Sequence, residues 1–257
     1  MLTREEMHML AWIAQFSPLN GAIIDLGAFL GGSTISLSYG LAQAKKIDKV
    51  YSYDKWIIDE INKFRFLYKK GHGFYAGSDA FPVFKKFTNI YEDYIISYKG
   101  NILDQNWHNQ SISILFIDLS KTLDINDHII KVFFEYLVPG SIIIQQNFLF
   151  FRNPWLYPTM YKLNKYVELL SYTEDNSVIF GVNEKIPTDI LDNCLSYKLS
   201  KNDYIEAISF YKSKFPFLRQ IEMIDALLEV FEKKPDARNA WDFPQPIKVQ
   251  YKFEDTD

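Results

Sequence analysis

Four groups of residues have the types and spacing to do chemistry. The first is the run Asp25-Leu-Gly-Ala-Phe-Leu-Gly-Gly-Ser-Thr34. Gly27 lets the chain turn tightly as it leaves a strand, and Gly31 and Gly32 allow close backbone approach before a helix opens at Ser33. Phenylalanine at position 29 breaks the G-x-G-x-x-G spacing, which disfavours a pyrophosphate cofactor, and the run lacks the Gly-Lys-Ser/Thr of a triphosphate loop. Asp25, two residues before the first glycine, can accept from an amino-acid ammonium. The second group is Asp54, 27 positions after Gly27 at the end of the next predicted strand. A carboxylate there can take both hydroxyls of a ribose.

Those two features together describe a nucleoside bearing an amino acid, and the ligand with that chemistry is S-adenosyl-L-methionine. The third group, Asp118-Leu-Ser-Lys121, follows an apolar run, and the fourth, Gln145-Gln146-Asn147, ends the next one. In open α/β sheets ligands bind outside the carboxyl ends of the strands, where the strand order reverses. Methyl transfer to oxygen is an in-line displacement on a sulfonium. It requires donor and acceptor to be aligned and a base to remove the hydroxyl proton.

The elements that must position these residues alternate as strand and helix. Thr3-Arg-Glu-Glu6 is a capping box before an amphipathic helix that ends at Ser17-Pro18. Buried strands are predicted over 21–27 and 49–54, with a helix over 33–44 between them. Residues 55–92 exceed what a crossover needs, and predict an aromatic, basic helix over 56–70, the loop Gly71-His-Gly73 and a second helix from Ser78. Strands follow over 94–98, 112–117 and 141–145, with helices over 126–136 and 157–164. Residues 167–172 and 178–182 read as a terminal hairpin. Beyond Pro187, 204–215 and 217–231 read as amphipathic helices. The second carries Leu218, Ile221, Ile224, Leu228 and Phe231 in one stripe, a candidate homodimer face. The last stretch reads as an arm or tail.

Residues 22–183 resemble the class I S-adenosylmethionine-dependent methyltransferases. Within them the chain is similar to the small catechol-type O-methyltransferases and to sugar and natural-product enzymes with related motifs; Asp-Leu-Gly-Ala-Phe-Leu-Gly-Gly-Ser carries the resemblance. It implies a Rossmann-like α/β fold: a seven-stranded sheet in the order 3-2-1-4-5-7-6, the last strand antiparallel, with helices on both faces. It implies further that Asp25, Gly27, Ala28, Phe29 and Ser33 line the methionine end and that Asp54 and Lys55 hold the ribose side. Asn101 and Ile102, within Gly100-Asn-Ile-Leu-Asp104, fall where the family places its adenine contacts, and Asp118 orients the amine. Lys121 resembles the lysine base of Asp-x-x-Lys. Catechol-type enzymes bind magnesium through the first aspartate and an Asp-Asn pair after the fifth strand. Here Gln146 stands in place of that second carboxylate, so no obligatory divalent metal is expected, and Gln146 and Asn147 become neutral hydrogen-bonding groups facing a small-molecule acceptor.

Blander readings stand beside these. The glycine run can be a structural turn, and Lys121 a solvated loop lysine. His72, between two glycines, can reach an acceptor hydroxyl or lie exposed on its loop, while Trp56, Phe64, Phe66, Tyr68 and Phe74 can roof a ligand or simply pack. The rival from another class is a catalytically silent cofactor-binding module, with the C-terminal helices as its interaction surface.

The whole chain bounds these choices. Its 257 residues, 48% hydrophobic and 23% charged, suit a methyltransferase domain over 1–185, with a lid-like insertion at 55–92, and a C-terminal helical extension over 186–257. A formal net charge of −4 argues against nucleic acid as the main partner. The single cysteine, Cys194, has no partner for a disulfide or a zinc cluster. The first residues are too acidic and too weakly apolar for a secretory leader, and no apolar run is long enough for a membrane, so a cytoplasmic protein is expected.

Overall fold

A computed structural model of the chain describes residues 2–108, 110–174 and 176–247. Seven strands form one sheet: β1 (Ala22–Leu26), β2 (Val50–Asp54), β3 (Ile95–Lys99), β4 (Ile112–Ile117), β5 (Leu137–Gln145), β6 (Val167–Tyr172) and β7 (Val178–Val182). Their order is β3-β2-β1-β4-β5-β7-β6, as the resemblance implies. β1 to β5 pair in parallel and β7 runs antiparallel to both β5 and β6. Every residue of β1, β4 and β7 is buried, which is why these segments read as mostly apolar runs, broken only by Asp25 and Ser113, rather than alternating ones. The strand order reverses between β1 and β4, the switch point at whose carboxyl ends open α/β sheets bind ligands.

Alternate residues of these strands feed two apolar layers. Ile23, Val50, Ile114, Phe116 and Ile144 pack under α1 (Arg4–Phe16) and α2 (Gly32–Gln43). The capping box forms: Thr3 Oγ1 accepts from the Glu6 amide at 3.2 Å and Glu6 Oε2 from the Thr3 amide at 2.9 Å. Gly40 lets the two helices close, since a Cβ there would lie 2.2 Å from the Ala11 carbonyl oxygen. On the other face Ile24, Leu26, Leu115, Ile117, Ile143 and Phe180 pack against α5 (Leu123–Val132), α6 (Leu156–Lys162), α8 (Lys201–Lys212) and α9 (Leu218–Lys233).

The C-terminal helices thus share a core with the sheet. Tyr211 of α8 packs edge-on against Phe148 at 5.2 Å, and Tyr204 stacks on Phe231 of α9 at 4.8 Å. Much of the stripe read as a homodimer face is turned inward: Ile224 and Phe231 are buried, although Leu218 is 69% exposed. Cys194 is a small buried residue whose thiol is pushed up to about 12 by burial. Part of the predicted tail, 248–257, lies outside the described residues.

Several boundaries differ from expectation. The helix predicted from Trp56 begins only at α3 (Glu60–Lys63), capped by Asp59, and widens into a π turn over Phe64–Tyr68. Trp56 is instead a buried loop residue with a left-handed backbone, φ 49°. The second helix of this segment, α4 (Phe81–Thr88), starts three residues late. α5 starts at Leu123, because Thr122 supplies the cap by accepting from the Ile125 amide. β5 begins at Leu137, ahead of Pro139-Gly140, and α7 (Thr188–Asn193) is too short to show a helical period. No helix among the described residues is long and apolar enough to cross a membrane.

Candidate functional site

The β1–β2 side of the switch point is organised by Asp54. Its Oδ2 accepts from the Phe29 amide at 3.0 Å and its Oδ1 from the Trp56 amide at 2.6 Å. Trp56 Nε1 in turn donates to the Phe29 carbonyl at 2.7 Å. Phe29 and Trp56 both carry left-handed backbone, with φ of 42° and 49°. Such conformations cost about 1–3 kcal/mol each for side chains of this size and persist only where surrounding contacts over-determine them. Here one half-buried carboxylate pins both. A carboxylate has about four lone-pair positions, so after these two amides each oxygen can still accept from a ligand hydroxyl. Burial raises the Asp54 pKa, with the two amides pulling the other way.

Residues 55–92 cover this turn. Trp56, Ile58, Leu67, Ala80, Val83 and Phe84 make a small apolar cluster with Ala28, and Phe29 packs against it, edge-on to Phe66 at 5.5 Å. Gly31 (φ 97°) fits only without a side chain, since a Cβ would meet Thr88 Cγ2 at 2.6 Å. Gly27 (φ 105°) brings the β1 turn against β4, where a Cβ would lie 3.1 Å from the Asp118 carbonyl carbon.

Asp25 is corrected by the structure. It is fully buried, and its carboxylate accepts from Ser33 Oγ at 2.9 Å and from Thr34 Oγ1 at 2.5 Å, with Thr34 Oγ1 also 3.0 Å from Ser52 Oγ. It offers no surface to an ammonium; it fastens α2 to β1. Burial pushes its pKa from 3.8 up to about 7, against the lowering effect of the two hydroxyls. Because the folded state then holds this proton to higher pH than the unfolded chain, the stability it brings is fully present below the unfolded value and is lost as pH rises toward 7. Asp25→Asn, which cannot ionise, is expected to remove that slope. Between about pH 4 and 7 the wild type should lose on the order of a few kcal/mol relative to the variant, read from urea midpoints. Parallel profiles would mean that Asp25 titrates as in the unfolded chain.

The β4–β5 half brings Asp118, Lys121 and Asn147 together. Asp118 Oδ1 accepts from Lys121 Nζ at 2.8 Å and from Asn147 Nδ2 at 2.9 Å. Asn147 also takes a left-handed backbone, φ 65°, which asparagine tolerates better than most residues. The Lys121 loop is held by contacts with no local signature. Ser120 Oγ donates to Asn126 Oδ1 at 2.9 Å, Asn126 Nδ2 to Thr159 Oγ1 at 3.1 Å, and Trp155 Nε1 to the Ser120 carbonyl at 2.9 Å. From the C-terminus, Thr122 bridges Asn239, the Leu123 amide donates to the Arg238 carbonyl, and the Ala240 amide to the Lys121 carbonyl at 2.9 Å.

The remaining expected residues divide. Asn101 caps a short turn after β3 and is half-buried, whereas Ala28, Ser33 and Ile102 are buried, the Ser33 hydroxyl being committed to Asp25. Lys55 is exposed beside Asp54. Gln146 is buried with its Oε1 unpaired. His72 is exposed; its ring lies against Phe87 at 4.8 Å and its amide donates to Leu67, so the structure does not bring it to Asp118 or Lys121. A cavity of about 350 Å³ lies elsewhere, lined by Leu123, Tyr204, Phe231 and Arg238 among others, and borders none of these residues.

No protein-family model matches the sequence, and no curated protein does. Solved structures do match the fold. The O-methyltransferase NovP is 14% identical with a TM-score of 0.51, over 70% of this chain and 79% of that one. The S-adenosylhomocysteine-bound methyltransferase PaMTH1 of Podospora anserina is 13% identical with a TM-score of 0.48, over 72% and 80% of the two chains. TYW2 of M. jannaschii, solved with S-adenosylmethionine, is 15% identical with a TM-score of 0.41, over 72% and 78%. At 14% identity the likeness to NovP is one of fold. With the strand order and the turn after β1, it identifies the architecture of this chain as that of the class I S-adenosylmethionine-dependent methyltransferases.

Proposed function

We propose that the protein is an S-adenosylmethionine-dependent methyltransferase acting on a hydroxyl of a small metabolite such as a sugar, a nucleotide-linked intermediate or a natural product. The observation that carries this reading is Asp54: a half-buried carboxylate at the carboxyl end of β2, held by two strained backbone turns with lone pairs to spare. The residues fit the cofactor. Asp54 would hold the ribose hydroxyls, Gly27 and Phe29 the amino-acid side, and Asn101 the edge beyond β3. When bound, S-adenosylmethionine supplies an electrophilic methyl group.

The chain's own residues then manage the acceptor. Lys121 and Asn147 converge on one oxygen of Asp118, so the acceptor hydroxyl can lose its proton to Lys121 Nζ as Nζ passes one to Asp118. One carboxylate, Asp118, beside the amide side chains of Gln146 and Asn147 is a weak set for a divalent ion such as magnesium, which prefers hard anionic oxygens. Phe29 packs on the apolar cluster of residues 56–84 and edge-on to Phe66, which steadies the turn.

Thermal unfolding with S-adenosylhomocysteine, with NAD as control, tests the reading. At about 100-fold excess over Kd a ligand adds ~2.7 kcal/mol, which is a rise of roughly 5–10 °C for a chain of this size. No rise with the nucleoside at millimolar concentration would refute it.

A further inference from the structure

The segment after β5 contains a cation that the chemistry above does not use. Arg152 is half-buried, and its Nε is sealed from solvent without a hydrogen-bond partner. Its guanidinium carbon lies 5.1 Å from the Phe151 ring centroid and 5.3 Å from that of Trp241. Among the described residues none of the ion pairs includes it. Burial lowers its pKa, yet a guanidinium does not give up its charge in a protein. Aromatic faces attract the cation but satisfy none of its N–H donors. Only Nε is sealed; the guanidinium is half-buried, and no carboxylate among the described residues completes its charge.

The surroundings place Arg152 at the acceptor end. Trp155, three residues on, donates to the Ser120 carbonyl, and Trp241 directly follows Ala240, whose amide donates to the Lys121 carbonyl. Trp241, one of the two rings against the guanidinium, thus follows directly on a residue fastened to the loop that carries Lys121. Five of the nine buried side-chain polar atoms without a partner among the described residues fall between Gln145 and Tyr157: Gln145 Oε1, Gln146 Oε1, Arg152 Nε, Asn153 Oδ1 and the Tyr157 hydroxyl. Of these, only Arg152 Nε and the Tyr157 hydroxyl can donate to an anion; the three amide oxygens accept.

We propose that Arg152 binds an anionic group, a carboxylate or a phosphate, on the methyl acceptor. The word acceptor rests on the methyltransferase reading; the anion site does not. A planar guanidinium takes either oxyanion through two parallel N–H donors, and one such cation in a chain of net charge −4 suits a small anion rather than a polyanion.

Calorimetric titration of the full chain with benzoate and with inorganic phosphate, with benzamide as the neutral control, tests this in wild type, Arg152→Gln and Arg152→Lys. At least one anion is expected to bind the wild type in the millimolar range, about tenfold or more tighter than benzamide. Affinity should fall about tenfold in Arg152→Gln, with Arg152→Lys between, since lysine keeps the charge but not the fork. Benzoate alone would mark a carboxylate acceptor and phosphate alone a phosphorylated one. Binding of neither, or equal binding to wild type and Arg152→Gln, would overturn the proposal. The S-adenosylhomocysteine thermal shift is read on the same samples. If it is missing while anion binding follows Arg152, the methyltransferase reading fails and the anion site stands.

Discussion

Lys121→Met is expected to lower methyl transfer by about 10²–10⁴-fold while S-adenosylhomocysteine binding is unchanged, the range general acid–base groups contribute. Lys121 Nζ stands 2.8 Å from Asp118 Oδ1, and Asn147 Nδ2 reaches the same oxygen at 2.9 Å. That arrangement gives the departing hydroxyl proton a route through Nζ to the carboxylate. Methionine keeps a flexible stem of similar length and removes the group that takes and passes the proton. Stability should hardly move: the pair is about a third exposed, such pairs contribute about 0–1 kcal/mol, and the midpoint should stay within about 4 °C. Product release is followed with the acceptor that a screen returns, and the thermal shift on the same sample reports the cofactor. Turnover within tenfold of wild type would reduce Lys121 to an ion pair that steadies its loop.

The two halves of the site were unequally visible in the sequence. Gly27, Asp54 and the Asp118-to-Lys121 spacing could be read directly, because a tight turn, a strand end and a switch point each need particular residues at particular places. The strands were legible for a related reason: isoleucine-rich runs such as 112–117 are buried on both faces and carry only one small polar residue, Ser113. Asp25 shows the limit. Its position before the glycine turn gave the right neighbourhood, but Ser33 and Thr34 lie only eight and nine residues on and fill its oxygens. Which acceptor sites are already occupied is a matter of packing, not spacing. Trp56 shows another. Its apolar surroundings read as helix, yet the indole bond to Phe29 and packing on Phe81 and Phe84 fix a left-handed loop conformation. The Thr122–Asn239 bridge and the Asn126–Thr159 bond join residues far apart in the chain, where no local pattern points. Arg152 was missed for the same reason, since Trp241 lies 89 positions away.

Asp54→Ala is expected to weaken S-adenosylhomocysteine binding by roughly 10²-fold or more. Two hydrogen bonds from ribose to a carboxylate contribute about 1.5–3 kcal/mol each, and 1.4 kcal/mol is about tenfold in affinity. The loss should exceed that of a simple contact, because the same carboxylate holds the Phe29 and Trp56 amides. Without it two left-handed turns lose the contact that sustains them, and the loop that must already be in place relaxes before the ligand arrives. Binding then includes the cost of re-forming it. Asp54→Asn separates the two contributions. Its one oxygen can still accept from one amide, but its NH₂ group faces the other, so part of the frame survives. Titration of the three proteins is expected to rank them wild type, Asn, Ala. Should the Ala variant lose stability yet bind within threefold of wild type, Asp54 would be a staple between β1 and β2 rather than the ribose ligand, and the strain at Phe29 and Trp56 would have a purely structural purpose.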